Sequence, residues 1–116
     1  MNVDFIDSNV FIYLFDETDA RKRATAERLL QRALEHGDAA ISHQVVQETL
    51  AVISGKLRHS ATPEQARRFL DKVLVPLWRV MPSAALYRRA LDIQARWRFG
   101  FYDSLIVAAA LEAGAD

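Results

Sequence analysis

Three acidic residues stand where this 116-residue chain changes from one kind of segment to another: Asp7, Glu48 and Asp103. Asp7 ends the apolar run Val3-Asp4-Phe5-Ile6 and is followed by Ser8-Asn9. Glu48 lies about a turn and a half into a helix-like stretch that begins after Ser42. Asp103 opens the most apolar helix-like segment, Leu105 to Leu111. Carboxylates at the ends of elements can converge in space while far apart in sequence. A converging set binds hard cations such as Mg²⁺, which demand oxygen ligands. The chemistry such a set supports is metal-assisted cleavage of a phosphodiester.

The elements that must position these acids alternate between strand and helix. Residues 3–7 read as a short strand, followed by an apolar cluster from Val10 to Phe15 long enough for a turn and a half of helix. Ala26, Leu29, Leu30, Ala33 and Leu34 then fall at the spacing of one helix face, with His36 in the last turn and Gly37 placed to end it. Asp38 to Ile41 is a second strand. Ser42 is placed to cap the next helix, whose stripe is Val46, Thr49, Leu50, Ile53 and Leu57, weakened late by Gly55. Thr62-Pro63-Glu64-Gln65 is the clearest helix start: a cap, a proline at the first helical position and a glutamine at the capping-box position. Ala66, Phe69, Leu70, Val73 and Leu74 form that helix's stripe, and Pro76 is expected to stop it. Leu77 to Met81 is the third strand, Ser83 caps a helix to about Arg96, and a last helix runs from about Tyr102 to Ala113.

Alternation of this kind predicts an α/β fold with a central parallel sheet flanked by helices, in one domain spanning residues 1–116. In open parallel sheets ligands bind outside the carboxyl ends of the strands. Asp7 is at the carboxyl end of the first strand. The helix of Glu48 starts on the same edge because it directly follows a strand, so the topology draws the acids toward one rim.

Each acid also has an ordinary structural role open to it. Asp7 before Ser8-Asn9 suits a turn or helix cap, its side chain accepting backbone N–H bonds. Asp103 before Leu105-Ile106-Val107 suits an N-cap. Glu48 lies roughly opposite the Val46/Leu50/Ile53/Leu57 stripe, as a solvated surface glutamate would.

Composition bounds the rest. With 51% hydrophobic and 26% charged residues the chain is a folding sequence, large enough for one core. Lys+Arg and Asp+Glu both count 15, so any affinity for nucleic acid must come from a local patch and not from net charge. The absence of cysteine removes disulfides, zinc–thiolate sites and thiol catalysis from this chain. No apolar run approaches the roughly 20 residues that span a bilayer, and Asp4 and Asp7 interrupt any signal-like stretch. The expectation is a soluble, cytoplasmic domain with no membrane partner. No glycine-rich phosphate loop follows the first strand, and there is no Gly-x-Ser-x-Gly elbow.

Taken together, three stretches resemble the motifs of PIN-domain nucleases. Ile6-Asp7-Ser8-Asn9-Val10-Phe11-Ile12 resembles the N-terminal motif, Ser42-His43-Gln44-Val45-Val46-Gln47-Glu48-Thr49-Leu50 the second, and Phe101-Tyr102-Asp103-Ser104-Leu105-Ile106-Val107-Ala108-Ala109-Ala110 the third. Order and spacing agree across nearly the whole chain. Within the family the chain is most similar to VapC-like toxins of bacterial toxin–antitoxin pairs, which are compact single-domain ribonucleases.

The resemblance implies a PIN-like three-layer fold and a Mg²⁺- or Mn²⁺-dependent endoribonuclease. Asp7, Glu48 and Asp103 would be the catalytic acids and the metal ligands, with Ser8 orienting Asp7 or a metal-bound water. It also implies a VapB-like antitoxin partner, contact with DNA only through that antitoxin, and a homodimer. A fourth acid is expected after a strand following the last helix. The chain stops at Gly114-Ala115-Asp116, where that strand would begin, so C-terminal incompleteness and loss of the last strands are expected, and Asp116 is not given the fourth acid's role.

Other residues carry weaker expectations. Arg96 and Arg98, just before Asp103, are candidates to meet RNA phosphates, with Arg88, Arg89 and the Lys56/Arg58/His59 cluster read mainly as solvated charges. The histidines at 36, 43 and 59 show no metal-ligand spacing and read as surface or cap residues. Trp78, Trp97, Phe99, Phe101 and Tyr102 read as core or interface and not as base-stacking groups, and Leu14, Phe15 and the Val52/Ile53 region as dimer candidates. Two rival readings remain: a catalytically silent PIN-like protein that binds an antitoxin-like partner, and an unrelated α/β domain binding a small ligand at the same rim.

Overall fold

The computed structural model describes residues 3–16, 18–55 and 61–114. Three short parallel strands lie in the order β1-β2-β3: β1 (Asp4–Phe5), β2 (Ala39–Ser42) and β3 (Trp78–Val80). Asp4 aligns with Ala39 and Phe5 with Ala40, while Ile41 aligns with Trp78 and Ser42 with Val80 across an irregular step at Ile41/Ser42. Every residue of central β2 is buried. Its uncharged Ala-Ala-Ile-Ser run is what a strand covered on both faces needs. The ladder of β1 is shorter than residues 3–7, although the Ile6 N–H still donates to the Ala40 carbonyl at 3.1 Å.

Helices flank this sheet. α1 (Ser8–Tyr13) follows β1 at once, and α2 (Ala20–His36) is opened by Asp19, whose side chain accepts the Lys22 N–H at 3.0 Å. Gly37 closes α2 at φ 68, a left-handed conformation that a residue without Cβ adopts at little cost. Of the predicted stripe only Ala26, Leu30 and Ala33 are buried; Leu29 and Leu34 are exposed. α3 (His43–Ile53) buries Val46, Thr49 and Ile53 as the stripe requires, while Leu57, like Lys56, Arg58 and His59, lies outside the described residues. Ser42 stands at the N-cap of α3 but its hydroxyl makes no cap bond, because strand β2 carries that side chain into the core.

α4 (Pro63–Phe69) begins with the complete capping box, Thr62 accepting from Gln65 N–H and Gln65 accepting from Thr62 N–H. Pro76 does not end the helical path as expected. The chain widens into a π-helical turn at Leu70–Leu74 and continues through the short α5 (Val75–Leu77), so β3 begins at Trp78 and not at Leu77. A proline ring clashes with the carbonyl four residues before it, here that of Lys72, and local widening of the helix relieves such a clash. α6 (Ala84–Trp97) starts under the Ser83 side chain, which accepts the Leu86 N–H at 3.0 Å. α7 (Phe101–Glu112) begins one residue earlier than expected, with Gly100 at its N-cap.

Two core clusters hold the layers together. The first joins Phe11 of α1, Leu30 and Ala33 of α2, Ala39 and Ile41 of β2, Val45 and Val46 of α3, and Leu74 and Leu77. The second joins Val80 of β3 to Leu86, Ala90, Leu105, Ala108 and Ala109, where α6 and α7 pack closely on each other. The Ala90/Ala108/Ala109 set explains that closeness, since small side chains let helix axes approach. Of the dimer candidates Ile53 is buried, while Leu14, Phe15 and Val52 are half-buried, Leu14 packing on the first core and the Phe15 ring meeting Phe69 edge-on at 5.1 Å. No helix among the described residues is long and apolar enough to cross a membrane.

Candidate active site at the carboxyl rim of the sheet

The site starts where β1 and β2 release the chain into helices. Asp7 is the N-cap of α1, its Oδ1 accepting the Ser8 N–H at 2.7 Å and its Oδ2 accepting the Asn9 side-chain amide at 3.1 Å. Its capping role is therefore real, and it fixes the carboxylate on the rim. Ser8 is buried, and its hydroxyl donates to Glu48 Oε2 at 3.0 Å, with Asp7 Oδ1 at 3.4 Å on the other side. A hydroxyl has one proton, so the shorter contact is the bond and Ser8 serves as the link between the two acids.

Glu48 is exposed yet held at both oxygens. One turn earlier on α3, Gln44 donates its amide to Glu48 Oε1 at 2.9 Å. The same amide reaches the Tyr102 carbonyl at 3.4 Å, crossing from α3 to the first turn of α7. Gln44 thereby ties the Asp7–Ser8–Glu48 group to the residue immediately before Asp103. Gln44 is not among the residues expected from the sequence, although its i, i+4 spacing to Glu48 puts both on one helix face. Asn9, which steadies Asp7, is not among those expected residues either.

Asp103 is the third residue of α7, in the first turn and not at the N-cap. It is exposed, and Cα–Cβ bonds tilted toward the helix start bring one carboxylate oxygen 4.0 Å from where a Cβ on Gly100 would sit. The structure brings Asp7, Ser8 and Glu48 into one hydrogen-bonded group and leaves the Asp103 carboxylate outside it. Among the described residues no set of three or more His, Asp and Glu side chains is gathered as a metal cage. Arg96 and Arg98 stand outside the group: Arg96 lies over the Trp97 ring at 5.4 Å, and Arg98 caps α6 at φ 58.

Electrostatics at this rim come from backbone as well as side chains. α3 and α7 both present their N-terminal turns here, and the partial positive charge of those turns favours carboxylates and phosphates. Polar atoms without a protein partner concentrate at the same junctions: Ser42 Oγ, His43 Nδ1 and Gln44 Oε1 at the start of α3, and Ser104 Oγ beside Asp103. His43 is buried and not a surface residue, and that burial lowers its pKa below 6.5.

The chain carries, across residues 5–116, a match to the family model described as the PIN domain. It belongs to the PIN domain family. PIN domains are generally nucleases, and this PIN domain is accordingly a nuclease-type hydrolase acting on nucleic acid. Members typically use divalent metals. The donor chemistry of this PIN domain fits that use: the rim offers carboxylate and hydroxyl oxygens, and Mg²⁺ is commonly held by one or two carboxylates with waters and substrate phosphate completing its shell. No curated protein matches the chain.

Proposed function

We propose that this PIN domain is a Mg²⁺- or Mn²⁺-dependent endoribonuclease that acts as the toxin of a toxin–antitoxin pair. The observation that carries the proposal is the Ser8 hydroxyl between Asp7 and Glu48, with Gln44 extending the same group to the start of α7. Asp7, Glu48 and Asp103 would hold the metal, which when bound lowers the pKa of a coordinated water and neutralises charge on the scissile phosphate. Ser8 and Gln44 hold the Glu48 carboxylate oxygens in fixed directions. The N-terminal turns of α3 and α7 favour an incoming phosphate.

The test is cleavage of an RNA by wild type and by Asp7→Asn and Asp103→Asn. Each variant keeps side-chain shape while losing a charge, so each should lose more than about 100-fold in rate without change in far-ultraviolet circular dichroism. Undiminished cleavage by both variants would sink the assignment. Glu48→Gln should lose less.

Toxin action further requires an antitoxin, and a homodimer is the proposed assembly. An anionic rim suits an arginine inserted by a partner, because a guanidinium pairs with carboxylates through two parallel bonds. DNA contact would then run through the antitoxin. A second reading, a catalytically silent protein that binds such a partner without cleaving RNA, is favoured by the position of Asp103 outside the hydrogen-bonded acids. Calorimetric Mn²⁺ titration separates the two, since only the nuclease needs the ion at this rim.

A further inference from the structure

The residues between α6 and α7 place aromatic rings where solvent reaches them. Trp97 is 59% exposed, Phe99 45% and Tyr102 71%. All three fall within six consecutive positions, so no two of their Cα atoms lie more than about 19 Å apart. By their sequence these rings read as core or interface. The core takes only Phe101 of this stretch, which packs against the Ala90/Ala108/Ala109 cluster and leaves Trp97, Phe99 and Tyr102 outside.

Tyr102 is propped from below. Its ring meets Phe101 edge-on at 5.7 Å, Phe101 stacks on Tyr87 at 6.5 Å, and Tyr87 meets the buried His43 ring edge-on at 6.4 Å. This row of rings runs from the start of α3 to the start of α7, the two elements that Gln44 bridges through the Tyr102 carbonyl. The outermost ring thus belongs to the residue that accepts that bridge and precedes Asp103. Positive charge accompanies the rings: Arg96 lies over Trp97 at 5.4 Å, and Arg98 occupies the corner itself, both exposed. No acidic residue lies between Gln94 and Tyr102.

We infer that Tyr102, with Trp97 and Phe99 beyond it, is a stacking platform for unpaired bases of a single-stranded RNA whose backbone is met by Arg96 and Arg98. The inference rests on the nuclease reading above and names the residues that would hold the strand. Stacking needs a free base face, which a duplex does not offer, and guanidinium groups flanking the rings supply the charge complement to phosphates. Charge also favours RNA over a second protein as the occupant: residues 94–102 carry two exposed arginines and no acidic residue, with the Asp103 carboxylate at their edge near Gly100, whereas a protein seat of this size would be depleted in charge at its centre.

The experiment is fluorescence anisotropy with a labelled single-stranded oligoribonucleotide and a blunt duplex of the same sequence. It is run in EDTA so that binding is read without cleavage. Wild type should prefer the single strand. Tyr102→Leu should weaken that binding roughly 5- to 150-fold, and Tyr102→Phe, which keeps the ring, should restore it. Unchanged single-strand affinity in Tyr102→Leu overturns the platform, as does a duplex bound equally well. Sedimentation on the same variants tests the rival occupant: a dimer that dissociates on Tyr102→Leu while RNA affinity is unaltered marks the corner as a protein interface and overturns the inference. The two levels stay distinguishable. RNA cleavage lost in Asp7→Asn but indifferent to Tyr102 removes only the platform, and Tyr102-dependent binding with no cleavage under Mn²⁺ removes only the nuclease.

Discussion

The Ser8 hydroxyl donates to Glu48 Oε2 at 3.0 Å, joining residues 40 positions apart through the parallel pairing of β1 with β2. Both residues leave the carboxyl ends of neighbouring strands, so the register of Phe5 with Ala40 is what sets their separation. Ser8 is buried while Glu48 is exposed, and the bond therefore ties a surface side chain to a buried one.

If that bond orients Glu48, Ser8→Ala should lower RNA cleavage about 10- to 100-fold, the range typical of groups that hold a metal-binding carboxylate. Gln44→Ala should do the same from the other oxygen. Calorimetry should show weaker Mn²⁺ binding in each, with melting temperature little changed. A rate loss that tracks loss of folded protein would assign both residues to stability alone.

Two serines at helix starts should respond differently to alanine. Ser83 accepts the Leu86 N–H at 3.0 Å, so Ser83→Ala should cost about 1 kcal/mol, or about 4 °C in melting temperature. Ser42 Oγ is buried without a protein partner, so Ser42→Ala should be neutral or stabilising. Thermal denaturation of the pair checks the contrast, and equal losses would show that the Ser42 hydroxyl has an uncounted partner.

His43 should give the fold a pH dependence of known sign. Burial disfavours its charged form, so its pKa in the folded chain is below the 6.5 of the unfolded one. The unfolded chain then takes up the proton first as pH falls. Stability is complete above pH 6.5 and declines below it, down through the folded pKa. Melting temperatures of wild type and His43→Gln between about pH 5.5 and 7.5, above the ordinary carboxylate range, should diverge on that account, with the variant flatter. Parallel curves would count against a buried neutral imidazole.

A partner that covers the acidic rim should protect it. Co-expression with the adjacent small reading frame should yield a complex in which RNA cleavage is suppressed, and Asp7→Asn or Asp103→Asn should weaken the complex if an arginine of the partner is seated there. Failure to form a complex at low salt would favour a solitary nuclease over a toxin.

Local signals were enough for the helix boundaries that depend on single residues. The capping box at Thr62/Gln65, the Ser83 cap and the left-handed Gly37 each obey rules acting within one turn, and all three stand where the sequence puts them. The order of strands and helices and the parallel sheet followed from alternation, a property of the whole chain that needs no contact to be known. Pro76 misled because a π-helical turn can absorb a proline, and whether it does depends on how Leu74 and Leu77 pack into the first core.

Tertiary structure alone decided which side chains meet at the rim. The motif residues Asp7, Glu48 and Asp103 were legible as acids at element ends, but the Ser8 and Gln44 links depend on strand register and on how the α7 start approaches α3. The same holds for the rings at 97–102. Their composition reads as core, and only the packing of α6 on α7 separates Phe101, which lies against the second core, from Trp97, Phe99 and Tyr102, which stay exposed.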